Sequence, residues 1–140
     1  TILFDYPLIV RLAQDWTGGV RYTSAVVHEH PVFMAAWFGL LVTALNLLPI
    51  GQLDGGHVLR AAVGRRQPVI SLAVLILAVG NAVRGPSWAI FSLFAALLIG
   101  FRHPPVGNEE EPLGFERTLV ALACLAVFLL CFCLTPIRVV

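Results

Sequence analysis

Long uncharged apolar runs dominate the pattern of hydrophobic and polar positions along this chain. Residues 32–50 contain no charged side chain, and a helix of that length rises about 28 Å, close to the thickness of membrane hydrocarbon. A shorter helical piece, 53–63, follows the first run, and further apolar runs cover 68–83, 87–101 and 118–137. The pattern predicts an all-α, polytopic membrane protein with about four membrane helices.

The N-terminal segment, 1–31, has a different pattern. Apolar residues recur at helical spacing from Leu8 to Trp16 with polar residues between them, and Gly18 and Gly19 end the repeat. Such a helix is too short to span a bilayer and is typical of the interface. We therefore divide the chain into an interfacial or extramembrane segment, 1–31, and a membrane domain, 32–140. Since no initiator Met or signal peptide is visible, we expect a fragment or an internal segment.

Composition agrees with a lipid environment. Hydrophobic residues make up 59% of the chain, charged residues only 12%, and the mean hydropathy is +0.89, whereas soluble domains are about one-quarter charged. The net charge is +1 and the arginines are scattered between apolar runs, which argues against nucleic-acid binding. Cys124, Cys131 and Cys133 share one apolar run, so we interpret them as small hydrophobic residues.

Asp54 is the only carboxylate within the first apolar run and the turn that follows it. An ionisable group at membrane depth is costly, which makes Asp54 a candidate functional residue. Pro49 breaks the helix before it, and Gly55 and Gly56 leave space for another backbone or a metal to approach. Irregular backbone at this depth requires a cavity or protein around it. The pattern predicts a carboxylate presented into a polar cavity by a broken helix.

A structural role for Asp54 is the alternative. Asp54 could be the N-cap of the helix over 53–63, with His57 in its first turn, and Asp before Gly-Gly is ordinary turn chemistry. Because a carboxylate has two oxygens, capping and metal binding are compatible.

The segment Asn46-x-x-Pro49-x-x-x-Leu53-Asp54-Gly55-Gly56 resembles the second signature of the site-2 protease family of intramembrane zinc metalloproteases. The likeness is specific over 39–57 and softer elsewhere from about Val27 onward. Further segments resemble the bacterial and plastid branch of that family: His30-Pro31, Ile50-Gly51-Gln52, Arg102-His103-Pro104-Pro105, Pro112-Leu113-Gly114 and Thr135-Pro136-Ile137.

The resemblance implies roles for four residues. Asp54 matches a zinc ligand, and Asn46 matches a catalytic and substrate-binding amide that holds the substrate carbonyl or its oxyanion. Gly55 and Gly56 would leave room for substrate. For Asn46, a hydrogen bond between helices is an equally open alternative.

The chain departs from the family in lacking its His-Glu-x-x-His signature, which supplies two zinc ligands and the general base. His28-Glu29-His30 does not replace it, because the second histidine would be required at position 32, which is Val32. We expect the missing motif in an N-terminal half upstream, and we expect this chain alone to be inactive.

These observations predict part of a zinc metalloendopeptidase that hydrolyses peptide bonds of membrane-embedded proteins, in a bacterial inner membrane or a plastid membrane. Two alternatives stay open. A non-catalytic membrane binding or scaffold relative is favoured by the absent motif. A small ion transporter would use Asp54 and Asn46 to line an ion path through a broken helix.

Overall fold

The computed structural model describes residues 2–18, 24–26, 30–81, 93, 113–133 and 135–139. Most of these residues are helical. The helices are α1 (Leu8–Trp16), α2 (Pro31–Asn46), α3 (Asp54–Val63), α4 (Gln67–Gly80) and α5 (Phe115–Cys131), and a 3-10 turn, Gly64–Arg66, joins α3 to α4. Apart from Leu93, the predicted span 87–101 lies outside the described residues.

A small antiparallel sheet corrects the all-α prediction. Its strands are β1 (Ile2–Asp5), β2 (Ser24–Val26) and β3 (Ile137–Val139), in the order β2-β1-β3. Phe4 pairs with Ala25 on one side and with Ile137 on the other. The last helix ends at Cys131, before the predicted boundary at 137. Pro136 is incompatible with a helix that continues to 137, because it lacks an amide donor and disfavours helical backbone for the residue before it.

Trp37 connects α2 to the sheet through a hydrogen bond and apolar contacts. Its side chain is only 2% exposed, and its indole Nε1 donates a hydrogen bond to the Asp5 carbonyl at 2.8 Å. Phe4, Trp37 and Leu41 form a buried apolar cluster. On the other side of β1, the Thr135 hydroxyl donates to the buried Asp5 carboxylate at 2.6 Å. Asp5 therefore connects Thr135, which follows the last helix, to Trp37 in α2.

The helices α3 and α4 form a hairpin. By length and composition, the run Asp54–Gly80 is the one helical stretch among the described residues that is long and apolar enough to cross a membrane. In one straight helix Gly55 and Val74 would lie about 28 Å apart, yet both pack against the same loop before α3. The chain reverses at Gly64, whose φ is +58°.

Large apolar side chains point outward from three helices. Val42 on α2, Ile76 and Leu77 on α4, and Val120 on α5 are all more than half exposed. Aliphatic side chains on α2, α4 and α5 are therefore left uncovered by the described part of the chain.

Candidate metal-binding site

The loop between α2 and α3, residues 47–53, is where the first apolar helix breaks. The Ile50 amide donates to the Leu48 carbonyl at 2.8 Å, which folds the backbone tightly around Pro49. Gly51 follows with φ at +53°, a conformation that strains other residues. The side chains of Leu48 and Ile50 are buried against α4 and α5. The loop is therefore anchored by its own apolar residues.

Gly55 and Gly56 lie directly against this loop. A Cβ on Gly55 would lie 2.6 Å from the Leu48 carbonyl oxygen and closer still to that of Leu47. A Cβ on Gly56 would lie 2.9 Å from the Ile50 carbonyl oxygen. The backbone whose close approach the sequence predicts is thus the preceding loop itself. The substrate-binding role of the two glycines stays a prediction.

Asp54 is the first residue of α3 and is exposed. The N-cap is Leu53, and no side chain caps the helix, so the capping alternative for Asp54 is wrong. Among the described residues, the Asp54 carboxylate makes no hydrogen bond or ion pair. A carboxylate in the first helical turn is stabilised by the helix dipole.

Asn46 is the last residue of α2 and is also exposed. The loop therefore begins after one predicted site residue and ends before the other. The alternative hydrogen bond from Asn46 to another helix is not seen within the described ranges. His57, one turn after Asp54, is exposed as well.

The Asp54 carboxylate has the chemistry of a zinc ligand. In the part of the chain that the structure describes, no three His, Cys, Asp or Glu side chains come together as a metal site. A catalytic zinc normally has three protein ligands and an open position. The exposed carboxylate can provide one of these ligands.

Gln67 and Ser71 on α4 are functional candidates that the sequence analysis missed. Both are completely buried, and the Ser71 hydroxyl donates to the Pro49 carbonyl at 2.6 Å. The sequence pattern that could have indicated them is a pair of polar residues one turn apart in an otherwise apolar helix. Their partner in the loop is not deducible from local pattern.

An apolar cleft of about 270 Å³ runs beside the loop, between α3 and α5. Gly55, next to Asp54, lies at its lining. The cleft is lined from one side by Leu47, Pro49, Gly55, Val58, Leu59 and Ala62, and from α5 by Thr118, Ala121, Leu122, Cys124, Leu125 and Phe128.

The chain is similar to known proteins over most of its length. The model of peptidase family M50 matches residues 9–83, more than half of the chain. The chain is 30% identical over 132 residues, 92% of its length, to the probable zinc metalloprotease EGY1, chloroplastic, of Arabidopsis thaliana. It is 37% identical over 102 residues, 68% of its length, to the probable zinc metalloprotease EGY3, chloroplastic, of Oryza sativa subsp. indica.

The chain belongs to peptidase family M50, the site-2 protease family. It spans 24% of the Arabidopsis EGY1 protein and 17% of the rice EGY3 protein. A further relative, the DDT domain-containing protein PTM of Arabidopsis thaliana, is 33% identical over 98 residues, 66% of this chain and 6% of that protein. No solved structure matches the chain.

Proposed function

We propose that this chain supplies part of the active site of an intramembrane zinc endopeptidase, with Asp54 as a zinc ligand. The proposal rests on the exposed Asp54 carboxylate, which lies at the start of α3 beside a loop that Gly55 and Gly56 pack against. Zinc, when bound, supplies Lewis acidity for peptide-bond hydrolysis. The other ligands and the general base come from a His-Glu-x-x-His motif outside this chain.

Asn46 orients the substrate in this proposal. Its amide lies at the other end of the loop from Asp54 and makes no hydrogen bond within the described residues. A fixed amide donor stabilises the negative charge that develops on a substrate carbonyl during hydrolysis. Gly55 and Gly56 keep side chains away from the substrate beside Asp54.

The surroundings of the loop support a membrane-embedded substrate in this proposal. The cleft beside Gly55 is almost entirely apolar, and the outward faces of α2, α4 and α5 carry exposed aliphatic side chains. An apolar transmembrane segment of another protein suits such surroundings, and so does a lipid bilayer around the four predicted spans. The chloroplastic location named for the EGY relatives supports a plastid membrane, and a bacterial inner membrane is the other candidate.

A non-catalytic membrane relative is the second candidate. The observation in its favour is the similarity to PTM, whose name describes no peptidase. In this case the loop would serve binding alone, and the protein would neither retain zinc nor cleave a substrate.

The test uses the protein expressed with its upstream sequence and purified in detergent. Zinc is measured by elemental analysis, and cleavage is followed with a quenched-fluorescent peptide that carries an apolar stretch of about 20 residues. We expect Asp54→Asn to lower kcat/KM at least 100-fold and to weaken zinc retention. Asn46→Ala should lower kcat/KM about 10²–10³-fold while zinc is kept.

The matched control is Asp15→Asn, which changes an exposed carboxylate on α1 and should leave both readouts as in the wild type. Wild-type cleavage by the Asp54→Asn variant would refute the assignment. A protein without zinc and without cleavage would favour the non-catalytic relative.

A further inference from the structure

Gln67 and Ser71 are buried polar residues whose position in α4 demands an explanation. Both side chains are 0% exposed, and the rest of the helix is apolar. Burial of an amide or a hydroxyl costs free energy unless the group is hydrogen-bonded. At a spacing of four residues, the two side chains lie on the same face of α4.

Two consecutive hydrogen bonds connect Gln67, through Ser71, to the loop over 47–53. Gln67 Nε2 donates to Ser71 Oγ at 3.0 Å, and Ser71 Oγ donates to the Pro49 carbonyl oxygen at 2.6 Å. A serine hydroxyl has a single proton. Since Ser71 accepts from Gln67, its own proton is directed at Pro49, and Gln67 thereby fixes the orientation of Ser71.

The Pro49 carbonyl needs this donor because the helix is broken there. In a continuous helix it would accept from the amide of Leu53, but that amide donates to Ile50 at 3.2 Å instead. Ser71 supplies the replacement. Fixing Pro49 fixes a loop whose Leu48 carbonyl lies against Gly55, the residue that follows Asp54.

The stability of α4 alone does not account for a glutamine at this position. Among the described residues, Gln67 Oε1 has no hydrogen-bond donor. A buried acceptor without a partner is destabilising, whereas an apolar side chain of the same shape can be neutral or stabilising. What the glutamine provides is the bond from its Nε2 to Ser71.

We propose that Gln67 and Ser71 are positioning residues that hold the loop so that Asp54 meets its metal in a fixed place. The inference rests on the proposed role of Asp54 as a zinc ligand. A substitution that removes a group orienting a metal ligand typically lowers the metal affinity about 10–100-fold. Because Ser71 acts through the loop backbone, we expect the lower end, about 10-fold, for Ser71→Ala.

The experiment uses the protein with its upstream sequence and has two readouts besides activity. Zinc retention is measured by competition with a chelator, and hydrogen–deuterium exchange is followed in peptides covering 47–56. Ser71→Ala should weaken zinc retention about 10-fold and speed exchange in these peptides alone. Gln67→Met, which keeps the size of the side chain, should change both readouts in the same direction without lowering the Tm.

Thr43→Ala is the matched control. The Thr43 hydroxyl also donates to a backbone carbonyl, that of Gly39, at 2.8 Å. This bond lies within α2, so its loss leaves the loop untouched. We expect wild-type zinc retention and wild-type exchange over 47–56.

The variants separate the positioning role of Gln67 and Ser71 from the ligand role of Asp54. If Asp54→Asn loses zinc while Ser71→Ala and Gln67→Met keep wild-type retention and exchange, the positioning role is overturned and the ligand assignment stands. If Asp54→Asn keeps zinc, the ligand assignment itself is overturned. Should Ser71→Ala not fold, Gln67→Met alone decides.

Discussion

Gly55→Ala is the most demanding test of the contact between α3 and the loop. The added Cβ would lie within 2.6 Å of one loop carbonyl oxygen and closer to another. Neither carbonyl can rotate away as a side chain can, so the loop must shift. Overpacking costs about 1–3 kcal/mol, and we expect the upper end here. The helix propensity of alanine returns about 1 kcal/mol, which leaves a net loss of about 2 kcal/mol.

The control is Gly39→Ala in the middle of α2, where a new Cβ meets nothing within 4 Å. It gains the same propensity without a clash, so the free energy of unfolding should rise by up to about 1 kcal/mol. Thermal unfolding followed by circular dichroism in detergent micelles compares the two variants. At about 3 °C per kcal/mol, Gly55→Ala should lower the Tm by about 6 °C. A Tm for Gly55→Ala at or above the wild-type value would refute the described packing.

Three further substitutions test the loop turn and the contacts of Asp5, each by the same thermal unfolding measurement. Gly51→Ala should cost about 1–2 kcal/mol because alanine is strained at positive φ, and Gly51→Asn should cost less; equal losses would contradict the described turn. Trp37→Phe should cost about 1–3 kcal/mol, because it leaves the buried Asp5 carbonyl without its indole donor; an unchanged Tm would argue against that bond. Thr135→Val removes the hydroxyl that donates to the buried Asp5 carboxylate and should cost about 1.5–3 kcal/mol. An unchanged Tm would argue against this hydrogen bond.

Local signals made the loop and α3 predictable from sequence. Pro49 removes a helical donor, Gly51 permits positive φ, and Gly64 ends the helix that begins at Asp54. Each of these effects acts within one or two turns of the residue that causes it. The need for close backbone approach at Gly55 and Gly56 was predictable for the same reason, but which backbone approaches was not.

Contacts between distant segments were beyond the sequence pattern. The three strands are short, and β1 and β3 are separated by almost the whole length of the sequence. Local periodicity therefore does not predict that they pair. Gln67 and Ser71 stand in a run that is otherwise apolar, and only the fold of α4 back onto Pro49 gives them a partner. Long-range pairing of this kind depends on tertiary structure rather than on local propensity.

X-ray absorption at the zinc edge can detect whether position 54 contributes a zinc ligand. The variant is Asp54→Cys in the protein with its upstream sequence, and Gln52→Cys, at an exposed position of the same loop, is the control. A thiolate ligand would add a sulfur shell at about 2.3 Å. We predict this shell in Asp54→Cys and its absence in the wild type and in Gln52→Cys. Zinc bound to Asp54→Cys with the unaltered wild-type shell would rule out Asp54 as a zinc ligand.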